Sequence, residues 1–279
     1  MLVFAYDGSL NGDWVAHYAV RFAATTPERR LRLLHVSDGR ATADLAQRIA
    51  RIADECALLG VALVPELHEA AGRGVADRLL GLVPPGPGTM LIAGTRSRPR
   101  NLTFLAGTVS ARLLAADRCS VVAIRVVHPG VLGQPGRVLL PVAGHPRGAR
   151  HALPLLRLLG PDLRELHLLL VRELSRPRFR LLRPATAQRL LDEGQDLVDR
   201  VEDEVRAALA PHASVLDASV VVSDDAPKEI LVFAGKLRSR LICLGASERS
   251  LPRRLAYGDP IEQVLRDATC DVAVYRSLA

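Results

Sequence analysis

An α/β fold follows from three features of this 279-residue sequence. Short runs rich in Val, Leu and Ile alternate with longer helical patterns, as in β-α-β units around a parallel sheet. The series of runs occurs twice in the same order. Gly94, Gly107, Cys119 and Arg125 of the first series fall without a gap on Gly245, Gly258, Cys270 and Arg276 of the second, which marks a duplication. At one to two hundred residues per domain the length also predicts two domains. The expected architecture is two tandem Rossmann-like domains, each a five-stranded parallel sheet with helices on both faces.

In the first half the strand runs are Leu2 to Tyr6, Leu31 to Val36, Val61 to Leu67, Met90 to Gly94 and Ser120 to Val126. Trp14, Tyr18 and Phe22 after the first run have helical spacing and read as core. Leu45, Ile49, Ile52, Cys56 and Leu59 place one apolar stripe on a helix that covers the sheet. In the second half the runs are Val138 to Val142, Leu166 to Val171, Val220 to Val222, Leu241 to Gly245 and Val272 to Tyr275. A smaller offset early in this half places an insertion at 172–189, with six arginines against Glu173, before a helix rich in Asp and Glu. It reads as a solvated loop beside a solvated helix face; the alternative is a basic loop that docks on an acidic partner or on that helix. The stretch 128–136 is rich in Pro and Gly and has no period. The predicted organisation is therefore a first domain over 1–127, a linker over 128–136 and a second domain over 137–279.

Composition narrows the function. Hydrophobic residues at 49% and charged residues at 24% exclude a disordered chain. The net charge of +7 is almost wholly arginine, with lysine only at Lys228 and Lys236, and aromatics reach only 4%. A base-stacking platform needs more aromatic rings, so no nucleic-acid partner is expected. No apolar run approaches the ~18 residues of a membrane span, which predicts a cytoplasmic protein with no membrane partner. The four cysteines form no C-x-x-C pair and the eight histidines have no metal-ligand spacing, so free thiols and no metal site are expected.

In an open parallel sheet, ligands bind beyond the carboxyl ends of the strands. The first strand of the first half ends in Asp7-Gly8-Ser9, which puts a carboxylate there for a ribose or an amine. The fourth strand runs into Gly94-Thr95-Arg96-Ser97, then nine residues, then Gly107-Thr108 at the start of a helix. Backbone N–H groups, a hydroxyl and a helix N-terminus suit a phosphate, and Arg96, Arg98 and Arg100 add positive charge.

The motifs Asp7-Gly8-Ser9, Leu34-His35-Val36, Gly94-x2-Ser97-x9-Gly107-Thr108 and Cys119-Ser120-Val121-Val122-Ala123-Ile124-Arg125 resemble those of the universal stress proteins, and the resemblance covers both halves. It implies an ATP site, with Mg2+ where phosphates are held, in which Asp7 faces ribose or adenine, Val36 lines the adenine pocket, and Gly94, Gly107 and Thr108 hold the phosphates beside Arg96. Ser97 replaces the family's second glycine, which strains the loop if its backbone needs positive φ. In the second half Ala143 stands in place of Asp7. Its loop carries Glu248 and Asp259, which would repel phosphate, so no triphosphate is expected there. The resemblance also implies pairing of the two last strands within the chain, and allows a homodimer and an unidentified protein partner.

The function read from the sequence is a stress-response module that binds an adenine nucleotide in its first domain, with the second as scaffold. It is not an enzyme beyond slow ATP hydrolysis, because no general base or activated nucleophile is legible around the loop. One alternative is a scaffold in which both sites have decayed. Another is an adenylyltransferase, which would need a His-x-Gly-His or Ser-Gly-Gly-x-Asp-Ser loop that the sequence lacks.

Overall fold

The computed structural model describes residues 1–39, 44–72, 74–95, 104–105, 107–142, 149–210, 212, 215–246 and 260–278. The first half runs β1 (Leu2–Ala5), α1 (Leu10–Thr25), β2 (Arg30–Ser37), α2 (Leu45–Leu58), β3 (Ala62–Glu69), α3 (Val75–Leu82), β4 (Gly86–Gly94), α4 (Val109–Ala115) and β5 (Cys119–Arg125). A 3-10 turn, Pro129–Val131, follows. The second half runs β6 (Gly136–Val142), α5 (Leu153–Leu159), β7 (Leu163–Glu173), α6 (Arg176–Arg180), α7 (Pro184–Leu209), β8 (Val215–Ser223), α8 (Ala226–Lys236), β9 (Leu241–Gly245), α9 (Pro260–Asp267) and β10 (Asp271–Arg276). A second 3-10 turn, Gly160–Asp162, lies between α5 and β7.

All ten strands form one sheet in the order β3-β2-β1-β4-β5-β10-β9-β6-β7-β8. Counted outward from the middle, the strand order is the same in both halves. Neighbours within each half are parallel, and the halves join through the antiparallel pair β5 and β10. Ala123 lies opposite Val274, with Val121 opposite Arg276 and Arg125 opposite Val272. The repeat offset equates Ala123 with Val274, so the register is centred on equivalent residues and the junction is isologous, as at a two-fold interface. It leaves neither strand as an open edge.

Strand side chains alternate between two apolar layers. Leu2, Phe4, Leu31, Leu33 and Ile92 pack with α1, α2, α5 and α7 on one face. Val3, Leu34, Leu91, Val121 and Ile242 pack with α3, α4, α8 and α9 on the other. Tyr18 and Phe22 of α1 are buried edge to face, with ring centroids 6.1 Å apart, and Trp14 is partly buried against the same layer. Both layers continue across the junction, so burial on the two faces couples the halves.

Two arginines fasten the junction reciprocally. Arg125, at the end of β5, donates to the carbonyl of Ala268 just after α9, at 3.0 Å. Its counterpart Arg276 donates to the carbonyls of Leu114 and Ala115 at the end of α4, at 3.0 and 3.3 Å. Each cation meets the negative end of the other half's last helix.

The 172–189 insertion is exposed, but it is not a loop: α6 and the first turn of α7 lie within it. Pro177 and Pro184 each sit in a first helical turn, where the missing N–H costs nothing. The run Val220 to Val222 is likewise only part of β8, whose earlier residues alternate with exposed ones. Among the described residues, no helix is long and apolar enough to cross a membrane.

Candidate functional site

β1 lies between β2 and β4, with Ala5 opposite both Leu34 and Ala93. Asp7, Val36, Gly94 and Thr95 are each within two residues beyond that line, at one edge of the sheet. The chain leaves β1 toward β2 on one side and returns in β4 on the other, so this edge is the crevice where strand order reverses.

The turn after β1 is held by the residues that carry its chemistry. Gly8 has φ +73°, a backbone region that favours glycine. One Asp7 oxygen accepts hydrogen bonds from the Ser9 amide at 3.0 Å and the Ser9 hydroxyl at 2.6 Å. Ser9 in turn caps α1 by accepting from the Gly12 amide at 3.1 Å. A Cβ on Gly12 would lie 2.6 Å from the same Asp7 oxygen, so glycine there lets the helix approach the carboxylate. Beneath the turn the Tyr6 hydroxyl donates to Asp13 at 2.5 Å, and Arg48 pairs with the other Asp13 oxygen. Burial, followed by Asp13, pushes the Tyr6 pKa well above its ordinary value. Tyr6 therefore stays a neutral donor.

The end of β4 meets this turn directly. A Cβ on Gly94 would lie 2.9 Å from the Asn11 amide nitrogen, and the Gly94 carbonyl accepts from the Ser110 hydroxyl in α4 at 2.8 Å. Thr95 is buried and donates through its hydroxyl to the Phe104 carbonyl at 2.7 Å. Gly107 has φ +69°. Thr108 caps α4, accepting from the Ala111 amide at 3.2 Å and donating to the Leu105 carbonyl at 2.7 Å. Asp7, Gly94, Gly107 and Thr108 thus belong to two connected loops, with Val36 in the apolar layer beside them, 8% exposed. Arg96 and Ser97, with Arg98 and Arg100, lie outside the described residues, as do Ala143, Glu248, Gly258 and Asp259 of the second half.

One residue of this site has no counterpart in the sequence reading. Glu262 of α9, 6% exposed, reaches across the junction and accepts from the backbone amides of Phe104 at 2.8 Å and Leu105 at 2.7 Å. It holds these two residues from the other half of the chain. Arg125 stacks over the Phe104 ring at 4.8 Å. The signal for Glu262 was a carboxylate within the apolar group Ile261, Val264 and Leu265, where a buried charge needs a partner. The repeat alignment puts Ala111 at the equivalent place, so the contact exists on one side only.

A model of the universal stress protein family matches residues 136–276, just over half of the chain. The chain belongs to the universal stress protein family. No curated protein matches it. Among solved structures it is similar to a universal stress protein from Archaeoglobus fulgidus, at 17% identity over 98% of this chain and 97% of that one, with a TM-score of 0.61. It is also similar to a functionally unknown protein from Pseudomonas aeruginosa PAO1, at 15% identity over 98% and 91%, TM-score 0.59. The cytoplasmic domain of a prokaryotic cation chloride cotransporter has the same fold at 12% identity over 99% and 95%, TM-score 0.57. In this universal stress protein the span matched by the family model is the half with Ala143 in place of Asp7.

Proposed function

We propose that the chain is a tandem universal stress protein that binds ATP, or a related adenine nucleotide with Mg2+, in its first half. The nucleotide would act as a conformational signal to a protein partner in the cytoplasm. The observation that carries this reading is the convergence of Asp7, Gly94 and the Thr108-capped start of α4 at one sheet edge, joined through Asn11 and Ser110. Asp7 and Val36 would take the nucleoside. The phosphates would lie toward Gly94, Gly107 and Thr108, where Mg2+ would offset their charge. Binding without turnover is favoured, because Asp7 is already engaged in holding the β1–α1 turn. In the second half the loss of the Asp7 counterpart leaves a scaffold without a triphosphate.

Purified chain, denatured and analysed for nucleotide, is expected to release an adenine nucleotide. Adding Mg-ATP should raise the melting temperature, since ligand at ~100 times its Kd stabilises by about 2.7 kcal/mol. Asp7→Ala is expected to weaken ATP roughly ten- to a hundredfold, the loss of a charged hydrogen bond worth ~1.5–3 kcal/mol. Gly12→Ala keeps the carboxylate but forces it aside, and should weaken ATP in the same direction. Native protein with neither released nucleotide nor a thermal shift would refute the reading. The scaffold without nucleotide is the second reading, favoured by one observation: two loop amides, Phe104 and Leu105, already hold a protein carboxylate.

A further inference from the structure

At the corresponding edge of the second half, a cavity of about 360 Å³ lies between the ends of β6, β7 and β9 and the helices α8 and α9. Val142, Val171, Ile230, Leu244, Ala246 and Ile261 form much of its wall. Of the lining side chains among the described residues, only Tyr275 and His151 carry polar atoms.

The repeat alignment shows how the cavity became apolar. Ala246 stands where the first half has Thr95, and Ile261 where it has Ser110. Each exchange removes a hydroxyl that in the first half holds the Phe104 or the Gly94 carbonyl. One exchange runs the other way: Tyr275 replaces Ile124 and brings a hydroxyl into the cavity. Tyr275 is 3% exposed, and none of the hydrogen bonds among the described residues involves its hydroxyl. Burial pushes its pKa well above the ordinary tyrosine value, so it is a neutral donor and acceptor. A ligand with one hydrogen-bonding group would pair with this hydroxyl while its body meets the apolar wall. The volume falls at the small end of ligand pockets, ~300–1,000 Å³.

We propose that the second half is a binding site for an uncharged, largely apolar small molecule with a single hydrogen-bonding group, which pairs with the Tyr275 hydroxyl while its body fills the space against Val142, Ile230 and Ala246. The halves would then have diverged in ligand class. This inference does not depend on ATP binding in the first half.

Three probes of one ring system test it on the full chain by fluorescence titration: 1-naphthol, naphthalene and 1-naphthyl phosphate. The expected result is saturable naphthol binding, naphthalene weaker by about tenfold, the worth of one hydrogen bond, and the phosphate excluded. Tyr275→Phe keeps the ring and should reduce naphthol to the naphthalene level while leaving naphthalene unchanged. Ile230→Phe should fill the cavity and weaken both, with far-UV circular dichroism confirming the fold of each variant. Saturating Mg-ATP should leave naphthol binding unchanged. Absence of saturable naphthol binding, equal binding of the phosphate, competition by ATP, or unaltered affinity in folded Tyr275→Phe would each overturn the proposal.

Discussion

Asp271→Ala is expected to lower the unfolding free energy by about 3–5 kcal/mol, in the range seen when a buried polar network loses its acceptor. Asp271 is 0% exposed. Its carboxylate accepts from the Tyr18 hydroxyl at 2.7 Å, from the Val127 amide at 2.7 Å and from the His128 amide at 2.9 Å. The donors come from α1 and from the start of the connection between the halves, and the acceptor from the first residue of β10, so one side chain fixes where the chain turns away from β5. Alanine would strand all three donors. Asp271→Asn should cost much less, because its amide oxygen can keep the two backbone donors while its nitrogen donates to a reoriented Tyr18 hydroxyl. Tyr18→Phe, which deletes a single hydrogen bond, should cost only about 1 kcal/mol. Urea denaturation followed by circular dichroism ranks the three variants; an alanine variant within 1 kcal/mol of the parent would refute the role of Asp271.

The second large effect is expected at Glu262. Glu262→Ala leaves the Phe104 and Leu105 amides without an acceptor in a buried place, at a cost of about 2–4 kcal/mol. It also frees Phe104 and Leu105, which lie just before the Gly107 and Thr108 that the first half would use around phosphate. Calorimetric titration with Mg-ATP should therefore show at least a tenfold loss of affinity, with Glu262→Gln intermediate because one oxygen remains. Denaturation and titration read the two consequences separately: a destabilised variant with unchanged ATP affinity would confine Glu262 to a structural role. A stable variant would contradict the hydrogen bonds themselves.

These two residues also show where sequence reasoning stops. The alternation of runs, their order and the offset from Gly94 to Gly245 arise from local requirements: a two-residue strand period, a 3.6-residue helix period, and glycine where φ is positive, as at Gly8 and Gly107. Such requirements are written within a few residues, so they are legible without a partner. Asp7, Gly94, Gly107 and Thr108 could be picked out because each lies at or just after a strand end or at a helix start, whereas Val36 came only from the family resemblance.

Glu262, Asp271 and Tyr275 act across distances that no period records. Phe104 and Glu262 are 158 residues apart in the chain, and Tyr18 and Asp271 are 253 apart. In the repeat alignment their counterparts are Ala111, Ser120 and Ile124, so the exchanges could be seen but not what they face. That depends on the antiparallel register of β5 against β10.

The sequence by itself determined that the chain would build two similar halves, and which strand ends would carry polar or apolar groups. Only the tertiary structure decided the register at which β5 meets β10, that an acid of the second half holds Phe104 and Leu105 of the first, and that Tyr275 lines a cavity. The physical reason is that periodicity specifies which face of an element is apolar, whereas the contacts of a buried charge or hydroxyl are set by whichever element packs against that face.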